Sequence, residues 1–393
     1  MGLVKKSSIK EYWNKKDVSQ STPWFSKMFS RNRFQLILRF FHLVDNTKTP
    51  QRNTQHYNPA AWFKPLIDHG NMRFKQFYVP QQELSIDESL VGTKARSVMT
   101  QYIPTKSHKF GIKLWLLVEA STGYILHILP YRGRRYDPVS VGETQGSQVI
   151  ITLMESANLL NKWHHIFCDN FFTSITLANR LYTLKTYITG TLRANRIMPR
   201  LMHNVTLGEN ESVFLRQGPL LGCAYKERRN RRTVRFISTA MPAIHIPHDK
   251  PIVATTYNKY MGGVDLNDMM TSTYDDGRKS TCMWKRVAYN ILHRMMLNAY
   301  ILYQENTDGD RILSRIKFIQ VIVEELSGDR VRRRDQQVNR NRNRLVHLER
   351  GKQRNCIVCT RPNIRSRAST ICNRCNKGVH VMCMYRHNCD IEL

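Results

Sequence analysis

The sequence predicts a mixed α/β core, with a helical region before it and a small metal-binding module after it. Strand-like runs are grouped first and then alternate with helical runs, which is typical of a mixed sheet with helices on its faces. Near the N-terminus, apolar residues recur every three or four positions instead. Six of the nine cysteines lie in the last 38 residues, so the tail forms a module of its own.

Length and charge limit the functions to be considered. At 393 residues and 41% hydrophobic, the chain is long enough for two or three domains. Its 61 Lys and Arg against 30 Asp and Glu give a formal net charge of +31, which favours a polyanionic partner, nucleic acid first. We find no apolar run of membrane-spanning length and no signal-peptide pattern, and therefore expect no membrane partner.

The elements follow in chain order. The run WFSKMFSRNRFQLILRFFHLV has a helical period and an Arg-rich face. LSIDESLVG, GIKLWLLVEA and YILHILPY read as strands, and the last two form a predicted hairpin through the turn STG. SQVIITLMESANLL and SITLANRLYTLK read as helices that alternate with the strands HHIFCDNFF and TYITGTLR. A basic, β-rich insertion and a long helical stretch follow.

The predicted organisation has six consecutive parts. They are a helical region (1–78), the first part of the core (79–195), a β-rich insertion (196–255), the last part of the core (256–328), a basic linker (329–354) and a cysteine-rich zinc-binding domain (355–393).

Four carboxylates stand in sharply defined contexts. Asp87 interrupts a β-patterned run, and Asp169 ends an apolar strand at the edge where open α/β sheets place their ligands. Asp265 and Asp268 follow Gly262–Gly263 and share a helix face. Taken singly, each has a plainer explanation as a turn former or helix cap. Together they predict a site for Mg²⁺ or Mn²⁺, in which two ions serve phosphodiester chemistry and offset the mutual repulsion of the carboxylates.

Four motifs, in this order and at these separations, resemble the piggyBac-type transposases of the DDE/DDD group: SIDESL, QYIPTKSHKFGIKLW, CDNFFTS and YNKYMGGVDLND. The resemblance implies a ribonuclease H-like core. It also implies that Asp87, Asp169 and Asp265 bind the catalytic metal and that Asp268 is a further acidic catalytic position. Members of the family cut transposon ends, pass through hairpin intermediates and join the ends to TTAA targets.

The same resemblance implies further properties of the chain. Partners would be double-stranded DNA and at least one further copy of the chain, because two transposon ends must be cut in concert. The N-terminal region would serve dimerisation and DNA binding. Because the first predicted helix begins almost at residue 1, whereas relatives often have a longer region there, we expect a truncated N-terminus.

Two basic segments are predicted to contact DNA phosphates. In the first, lysines alternate with Tyr102 and Phe110, which provides cations and stacking rings together. The second, VRRRDQQVNRNRNRLVHLERGKQR, reads as an arm and a nuclear-import signal, which places the protein in the nucleus. A solvated surface without a partner is the alternative for both. The predicted contacts are Lys106, Lys109, Lys113, Arg332, Arg333, Arg334, Arg340, Arg342 and Arg344.

The tail carries the strongest metal signal. Eight Cys and His residues at ligand spacing are enough for two tetrahedral structural Zn²⁺ sites. A module this small has too little hydrophobic core to fold without bound metal ions or other cross-links. Disulfides are the alternative, disfavoured in a reducing compartment. We predict an interleaved arrangement, in which Cys356, Cys359, His380 and Cys383 bind one ion and Cys372, Cys375, His387 and Cys389 bind the other.

Two other functions remain open at this stage. One is a DNA-binding protein that descends from a transposase and no longer cuts, which the four retained aspartates disfavour. The other is a ribonuclease H-like nuclease that does not join strands. The carboxylates alone do not distinguish it from a transposase, because both would use the same metal chemistry.

Overall fold

The structure is a computed structural model that describes residues 2–52, 54–104, 106, 108–247, 249–275, 280, 282–342, 345–361 and 365–387. Of residues 329–342 and 385 it describes the backbone only. The chain divides into two units, Met1–Lys5 with His42–Arg315, and Lys6–Phe41 with Ile316–Leu393. The first contains the main sheet and the second contains the C-terminal module.

The strands of the described residues are β1 (Glu83–Gly92), β2 (Thr100–Tyr102), β3 (Phe110–Glu119), β4 (Ile125–Pro130), β5 (His165–Cys168), β6 (Tyr187–Thr191), β7 (Glu211–Gln217), β8 (Leu220–Lys226), β9 (Val234–Ser238), β10 (Leu345–His347), β11 (Arg354–Asn355), β12 (Arg367–Ala368) and β13 (Thr370–Cys372).

The helices of the same residues are α1 (Pro23–Met28), α2 (Arg31–Phe40), α3 (Lys64–Phe77), α4 (Gln145–Ser156), α5 (Ile175–Thr183), α6 (Arg200–His203), α7 (Ile252–Tyr260), α8 (Gly263–Thr273), α9 (Met283–Glu305) and α10 (Arg315–Arg342). Short 3₁₀ turns occupy Ile9–Trp13, Val18–Gln20, Asn46–Lys48, Gly309–Arg311 and Val381–Arg386.

In the described part of the chain, nine strands form one mixed sheet. Its order is β2, β3, β1, β5, β6, β9, β8, β7, and β4 pairs with β3 outside this path. The central strands β1, β5 and β6 are parallel, while β3 runs antiparallel to β1. The predicted hairpin is confirmed, since β3 and β4 pair antiparallel across the turn at residues 120–124. The mixed α/β class predicted from the sequence is therefore confirmed.

Helices on the sheet bury its apolar residues. Leu84 and Ile86 on β1, Leu116 on β3 and Ile166 on β5 are almost completely buried in one core cluster. Helix α4 contributes the fully buried Ile150, as its apolar period predicts. The centre of the sheet is thus covered on both faces, as expected for strands that read as continuous apolar runs.

The insertion does not form a separate sheet. Its strand β9 pairs antiparallel with β6, with Gly190 opposite Ile237, and β8 and β7 extend the sheet outward. The sequence predicts the β-rich character of this segment correctly, but not that its strands continue the core sheet. Pairing between β6 and β9 is nonlocal, and residue patterns within each strand do not specify a partner.

The second unit has two parts that the sequence predicts as helical and cysteine-rich. Helices α1 and α2 lie within the predicted N-terminal helical stretch. Helix α10 extends to Arg342, beyond Leu326 where the sequence predicts an irregular linker. Arg and Gln are good helix formers, so this charged segment can be helical without a core of its own. The C-terminal residues form the two-stranded sheets β10–β13 and β11–β12.

Among the described residues, none of the helices is both long and apolar enough to cross a membrane.

Candidate active site

Two predicted aspartates lie in, or directly after, neighbouring parallel strands. In the parallel pairing of β1 with β5, Ile86 lies opposite Cys168. Asp87 and Asp169 are the residues that come next along these two segments. Asp169 directly follows the last residue of β5, as the sequence predicts, while Asp87 lies within the longer β1. Both side chains are half-buried. The sheet thus places two carboxylates side by side at one edge of its parallel part.

The surroundings of Asp87 disfavour its charged form. Burial raises the pKa of Asp87 to about 8, and the negative charges of Glu88 and Asp169 act in the same direction. The backbone N–H of Glu88 donates to Asp87 Oδ1 at 2.7 Å, and Lys106 is a nearby cation, but these two only partly oppose the increase. Without a further positive charge, Asp87 therefore holds its proton more readily than an exposed aspartate does.

The surroundings of Asp169 also disfavour its charged form. Burial raises its pKa, and Glu88 adds to the increase, whereas the backbone N–H of Phe171 and the charge of Arg193 oppose it. The N–H of Phe171 donates to Asp169 Oδ1 at 2.8 Å. Asp169 therefore does form the turn that its plainer explanation predicts.

Helix α8 presents the other two aspartates. Asp265 lies in its first turn and is exposed, whereas Asp268 accepts hydrogen bonds from Ser89 Oγ on β1 and from Arg294 Nη2 on α9, both at 2.7 Å. The helix starts close to β1, since a Cβ at Gly263 would lie 3.0 Å from Ser85 Cβ. Because Ser85, Asp87 and Ser89 alternate along one face of β1, α8 lies along the face that carries Asp87.

The three predicted metal ligands are not in ligand contact with one another. Among the described residues, Asp87, Asp169 and Asp265 are not a set whose ligand oxygens all lie within 4.8 Å of one another. Their donor chemistry nevertheless fits a divalent cation. Mg²⁺ and Mn²⁺ prefer carboxylate oxygens, and an adjacent cation would lower the raised pKa values of Asp87 and Asp169. Binding one ion would require the carboxylates to approach further.

The three lysines predicted to bind DNA differ in their surroundings. Lys109 is exposed on the chain leading into β3. Lys106 is half-buried, and its Nζ donates to the backbone oxygen of Glu88 at 3.3 Å, beside Asp87. Nearby, the rings of Tyr102 and Phe110 lie 4.9 Å apart and are 58% and 47% exposed. This segment therefore offers stacking surfaces and a cation close to the carboxylates.

Lys113 lies among aromatic rings. Its Nζ is 4.4 Å from the centroid of the Trp115 ring and 5.7 Å from those of Tyr131 and Phe171. Burial lowers the pKa of Lys113, and the charges of Glu88 and Asp87 oppose this decrease. The ammonium group therefore lies near the carboxylates, in an aromatic surrounding that favours a cation.

Several side chains around the site were not predicted. Glu88 and Arg193 affect the aspartates electrostatically, and Ser89 and Arg294 hold Asp268. For Arg294 a signal exists in the sequence, because a charge interrupts the apolar period of NILHRMML. Its partners Ser89, Asn267 and Asp268 lie on other elements and leave no local pattern around Arg294.

The first predicted zinc set comes together in the C-terminal module. Ligand atoms of Cys356, Cys359, His380 and Cys383 all lie within 4.8 Å of one another. The Sγ atom of Cys359 is 3.2 Å from His380 Nδ1, near the roughly 3.5 Å expected between S and N ligands of tetrahedral Zn²⁺. His380 Nε2 lies 2.9 Å from the oxygen of Arg367, and a proton there leaves Nδ1 free for the metal. These residues fit a structural Zn²⁺ site.

The second set is present as far as the structure describes it. Cys372, Cys375 and His387 bring their ligand atoms within 4.8 Å of one another, with Cys375 Sγ 3.3 Å from His387 Nε2. The fourth predicted ligand, Cys389, lies outside the described residues. The two sets alternate along the sequence, as the interleaved arrangement requires.

The predicted DNA-binding arm is described only in part. Arg344 lies outside the described residues, and only the backbone of the other five arginines is described, all within α10: Arg332, Arg333, Arg334, Arg340 and Arg342. Their contacts with DNA remain predictions from the sequence.

Comparisons with known proteins agree on one family. The sequence model of the family described as Transposase IS4 matches residues 1–300. Human PiggyBac transposable element-derived protein 3 is 24% identical over 398 residues, which cover 92% of this chain and 64% of that protein. Human PiggyBac transposable element-derived protein 5 is 22% identical over 324 residues, covering 77% and 60%. The chain thus spans less than two thirds of the length of these relatives.

A solved structure extends the similarity to the whole fold. A cryo-EM structure of a piggyBac transposase synaptic complex with hairpin DNA matches with a TM-score of 0.78 and 26% sequence identity. The match covers 99% of this chain and 84% of that one. With the paired aspartates and the C-terminal Cys/His sets, these similarities establish that the chain belongs to the piggyBac-type transposase family.

Proposed function

We propose that this chain is a metal-dependent DNA transposase that cuts transposon ends and joins them to TTAA target DNA. One observation carries the proposal: Asp87 and Asp169 lie side by side on parallel strands, and α8, which bears Asp265, packs along the same face of β1. Membership of the transposase family and the similarity to a synaptic complex with hairpin DNA support it. The ribonuclease H-like core and the TTAA target come from the family resemblance.

The proposed reaction divides its tasks among the residues of the site. Asp87, Asp169 and Asp265 would hold divalent ions, which supply Lewis-acid stabilisation of the attacking and leaving oxygens in an in-line displacement. Half-buried carboxylates with raised pKa values bind such ions while excluding part of the competing water. The cations Lys106 and Lys113 lie near these carboxylates and would offset phosphate charge as the DNA backbone approaches.

The proposed partner is double-stranded DNA, and the proposed location is the nucleus. A net charge of +31 supplies the sequence-independent part of DNA affinity. The exposed Tyr102 and Phe110 rings beside Lys109 can stack on bases that leave the duplex. A dimer or larger assembly is proposed because two transposon ends must be processed together. The C-terminal module, held by two Zn²⁺ ions, would bind the transposon end.

Cleavage and joining by a catalytic variant test this proposal. In Mg²⁺, the zinc-loaded native chain should nick and then join DNA that carries the repeats flanking the gene. Asp169→Ala should lower the cleavage rate by at least about 10³-fold, as loss of an electrostatically essential group does. End binding in a gel-shift assay should stay within about threefold, because Asp169 contributes negative charge and not a phosphate contact.

A matched control separates loss of chemistry from loss of fold. Asp310→Ala removes an exposed carboxylate outside the site and should cleave like the native chain. Undiminished cleavage by Asp169→Ala would refute the proposed carboxylate site. Cleavage without joining would instead indicate a nuclease.

The second candidate is a DNA-binding protein that no longer cuts. It is favoured by the human relatives, whose names describe them as derived from transposable elements. Specific end binding without cleavage by the native chain, over a range of Mg²⁺ and Mn²⁺ concentrations, would support this candidate over the transposase.

A further inference from the structure

Arg294 is a buried cation at the centre of a hydrogen-bonded network beside the candidate site. The residue is 2% exposed and lies in the middle of α9. Its guanidinium donates to Asp268 Oδ1 at 2.7 Å, to Ser89 Oγ at 2.6 Å and to Asn267 Oδ1 at 2.5 Å. Its Nε donates to Asn290 Oδ1 at 2.9 Å. One side chain therefore ties β1, α8 and α9 together.

One carboxylate oxygen of Asp268, Oδ1, is held by this network. It accepts from both Ser89 and Arg294, and the second contact is an ion pair with a guanidinium that has almost no access to water. A carboxylate that left this guanidinium to bind a metal would strand a buried charge, which is strongly unfavourable. The geometry therefore assigns Asp268 a role different from that of the other three aspartates.

The network fixes α8 at a second point along β1. The first point is the close packing of Gly263 against Ser85, and the second is the Asp268–Ser89 hydrogen bond. On β1 these two serines lie on either side of Asp87, and on α8 the two contacts lie on either side of Asp265. Two anchors prevent the helix from rotating or sliding, so Asp265 keeps a constant position relative to Asp87.

We propose that Asp268 and Arg294 are positioning residues: their buried ion pair clamps α8 onto β1 so that Asp265 can share a divalent ion with Asp87 and Asp169. Asp268 itself does not contact the metal. This inference rests on the proposed metal site and deepens it, since it separates three ligands from a fourth carboxylate only one helical turn from Asp265.

Mn²⁺ affinity in a double-mutant cycle tests the inference without requiring activity. Free Mn²⁺ is measured by electron paramagnetic resonance with the zinc-loaded full chain and with Asp268→Asn, Arg294→Met and the double variant. Each single change should weaken Mn²⁺ binding by about 10-fold or more, the loss typical when a group that orients a metal ligand is removed. Both single changes break the same clamp, so the double variant should bind Mn²⁺ about as weakly as either single variant, within about threefold, and not show the product of two separate losses.

The same cycle distinguishes the failure of each proposal. Asp265→Asn, which removes a proposed ligand, should lose Mn²⁺ binding while keeping the thermal midpoint of the native chain. If the native chain binds Mn²⁺, and Arg294→Met binds it as tightly as native or more tightly while Asp268→Asn loses it, Asp268 contacts the ion and the positioning role is wrong. If the native chain binds no Mn²⁺ beyond its zinc sites, the proposed metal site fails, and the positioning role fails with it.

Discussion

At the scale of single residues, the site places carboxylates where their charged forms are disfavoured. Asp87 is half-buried, next to Glu88 and near Asp169, and these surroundings raise its pKa to about 8. An arrangement of this kind is costly for the folded chain unless a cation is present. Perturbed carboxylates that share a cleft are typical of functional sites, where such costs are tolerated because the chemistry needs them.

A prediction about stability and pH follows from the environment of Asp87. Between its ordinary value of 3.8 and about 8, the folded carboxyl holds a proton that the unfolded chain lacks. Stability should therefore fall as pH rises through this range, by at most about 1.4 kcal/mol per pH unit, with the full loss reached above the folded pKa. Without divalent ions, Asp87→Asn should raise Tm at pH 7.5 by a few degrees, and the gain should shrink toward pH 4.

Calorimetry across pH with a control carboxylate checks this prediction. Asp310→Asn changes an exposed residue and should leave the pH profile of Tm unaltered. A lower Tm for Asp87→Asn at every pH would show that the ionised Asp87 stabilises the fold, contrary to the electrostatics described above.

Residue types and local context predict the aspartates but not their partners. Asp87 and Asp169 are recognisable because a charge stands in or directly after a β-patterned run. Arg294 lies 205 residues from Ser89, and their contact depends on how α9 packs against β1. No property of either segment alone specifies that contact, so the network around Asp268 could not be predicted.

At the scale of elements, the packing of α8 on β1 is the contact that places Asp265. The first residue of α8, Gly263, lies so close to the sheet that a Cβ there would be 2.9 Å from Val118 Cγ2 and 3.1 Å from Ala120 Cα. The preceding Gly262 has no such neighbour within 4 Å. The glycine pair therefore has one member that is required for close approach and one that is not.

We expect Gly263→Ala to move the start of α8 away from β1. It should lower Tm by several degrees, because the added methyl group must displace packed neighbours, and overpacking costs about 1–3 kcal/mol. Mg²⁺-dependent cleavage should fall as well, since Asp265 lies in the displaced turn. The matched change Gly262→Ala should leave both quantities nearly unchanged. Equal effects from the two variants would contradict the close packing of Gly263.

In the C-terminal module, the spacing of Cys and His residues predicts which ligands come together. Spacing alone predicted both sets, and the structure brings together the seven ligands that it describes. Cysteine and histidine pairs at short spacing define a zinc site almost by themselves, because the ligands of each pair are local. The pairing of β9 with β6 is nonlocal, which explains why the merger of the insertion with the core sheet could not be predicted.

Zinc content provides the test of that module. Cys372→Ser should reduce bound zinc from two ions per chain to about one or fewer, measured by mass spectrometry of metals, and should weaken DNA-end binding. Cys282→Ser changes an exposed cysteine outside both sets and should retain two. Two zinc ions per chain in Cys372→Ser would contradict the two-site arrangement.

At the scale of the whole molecule, the described chain divides into two units, and the six-part organisation stays a prediction. A mixed sheet carries Asp87 and Asp169, an insertion extends that sheet, and a Cys/His module lies near the C-terminus. The class of the fold could be predicted because it depends on the periods of the apolar residues, whereas the metal-binding roles of the aspartates stay predictions. The length of α10 and the set of strands that joins the nine-stranded sheet depend on tertiary packing, and neither could be predicted from the sequence.

The central claim is that Asp87, Asp169 and Asp265 together hold the divalent ions that cut and join DNA. Locating Mn²⁺ by its anomalous scattering, in crystals of the zinc-loaded chain bound to a pre-cleaved transposon end, tests it most directly. We expect a manganese peak bonded to carboxylate oxygens of all three residues, with Asp268 still paired to Arg294. A peak bonded to Asp268 in place of Asp265, or no peak at these aspartates, would contradict it.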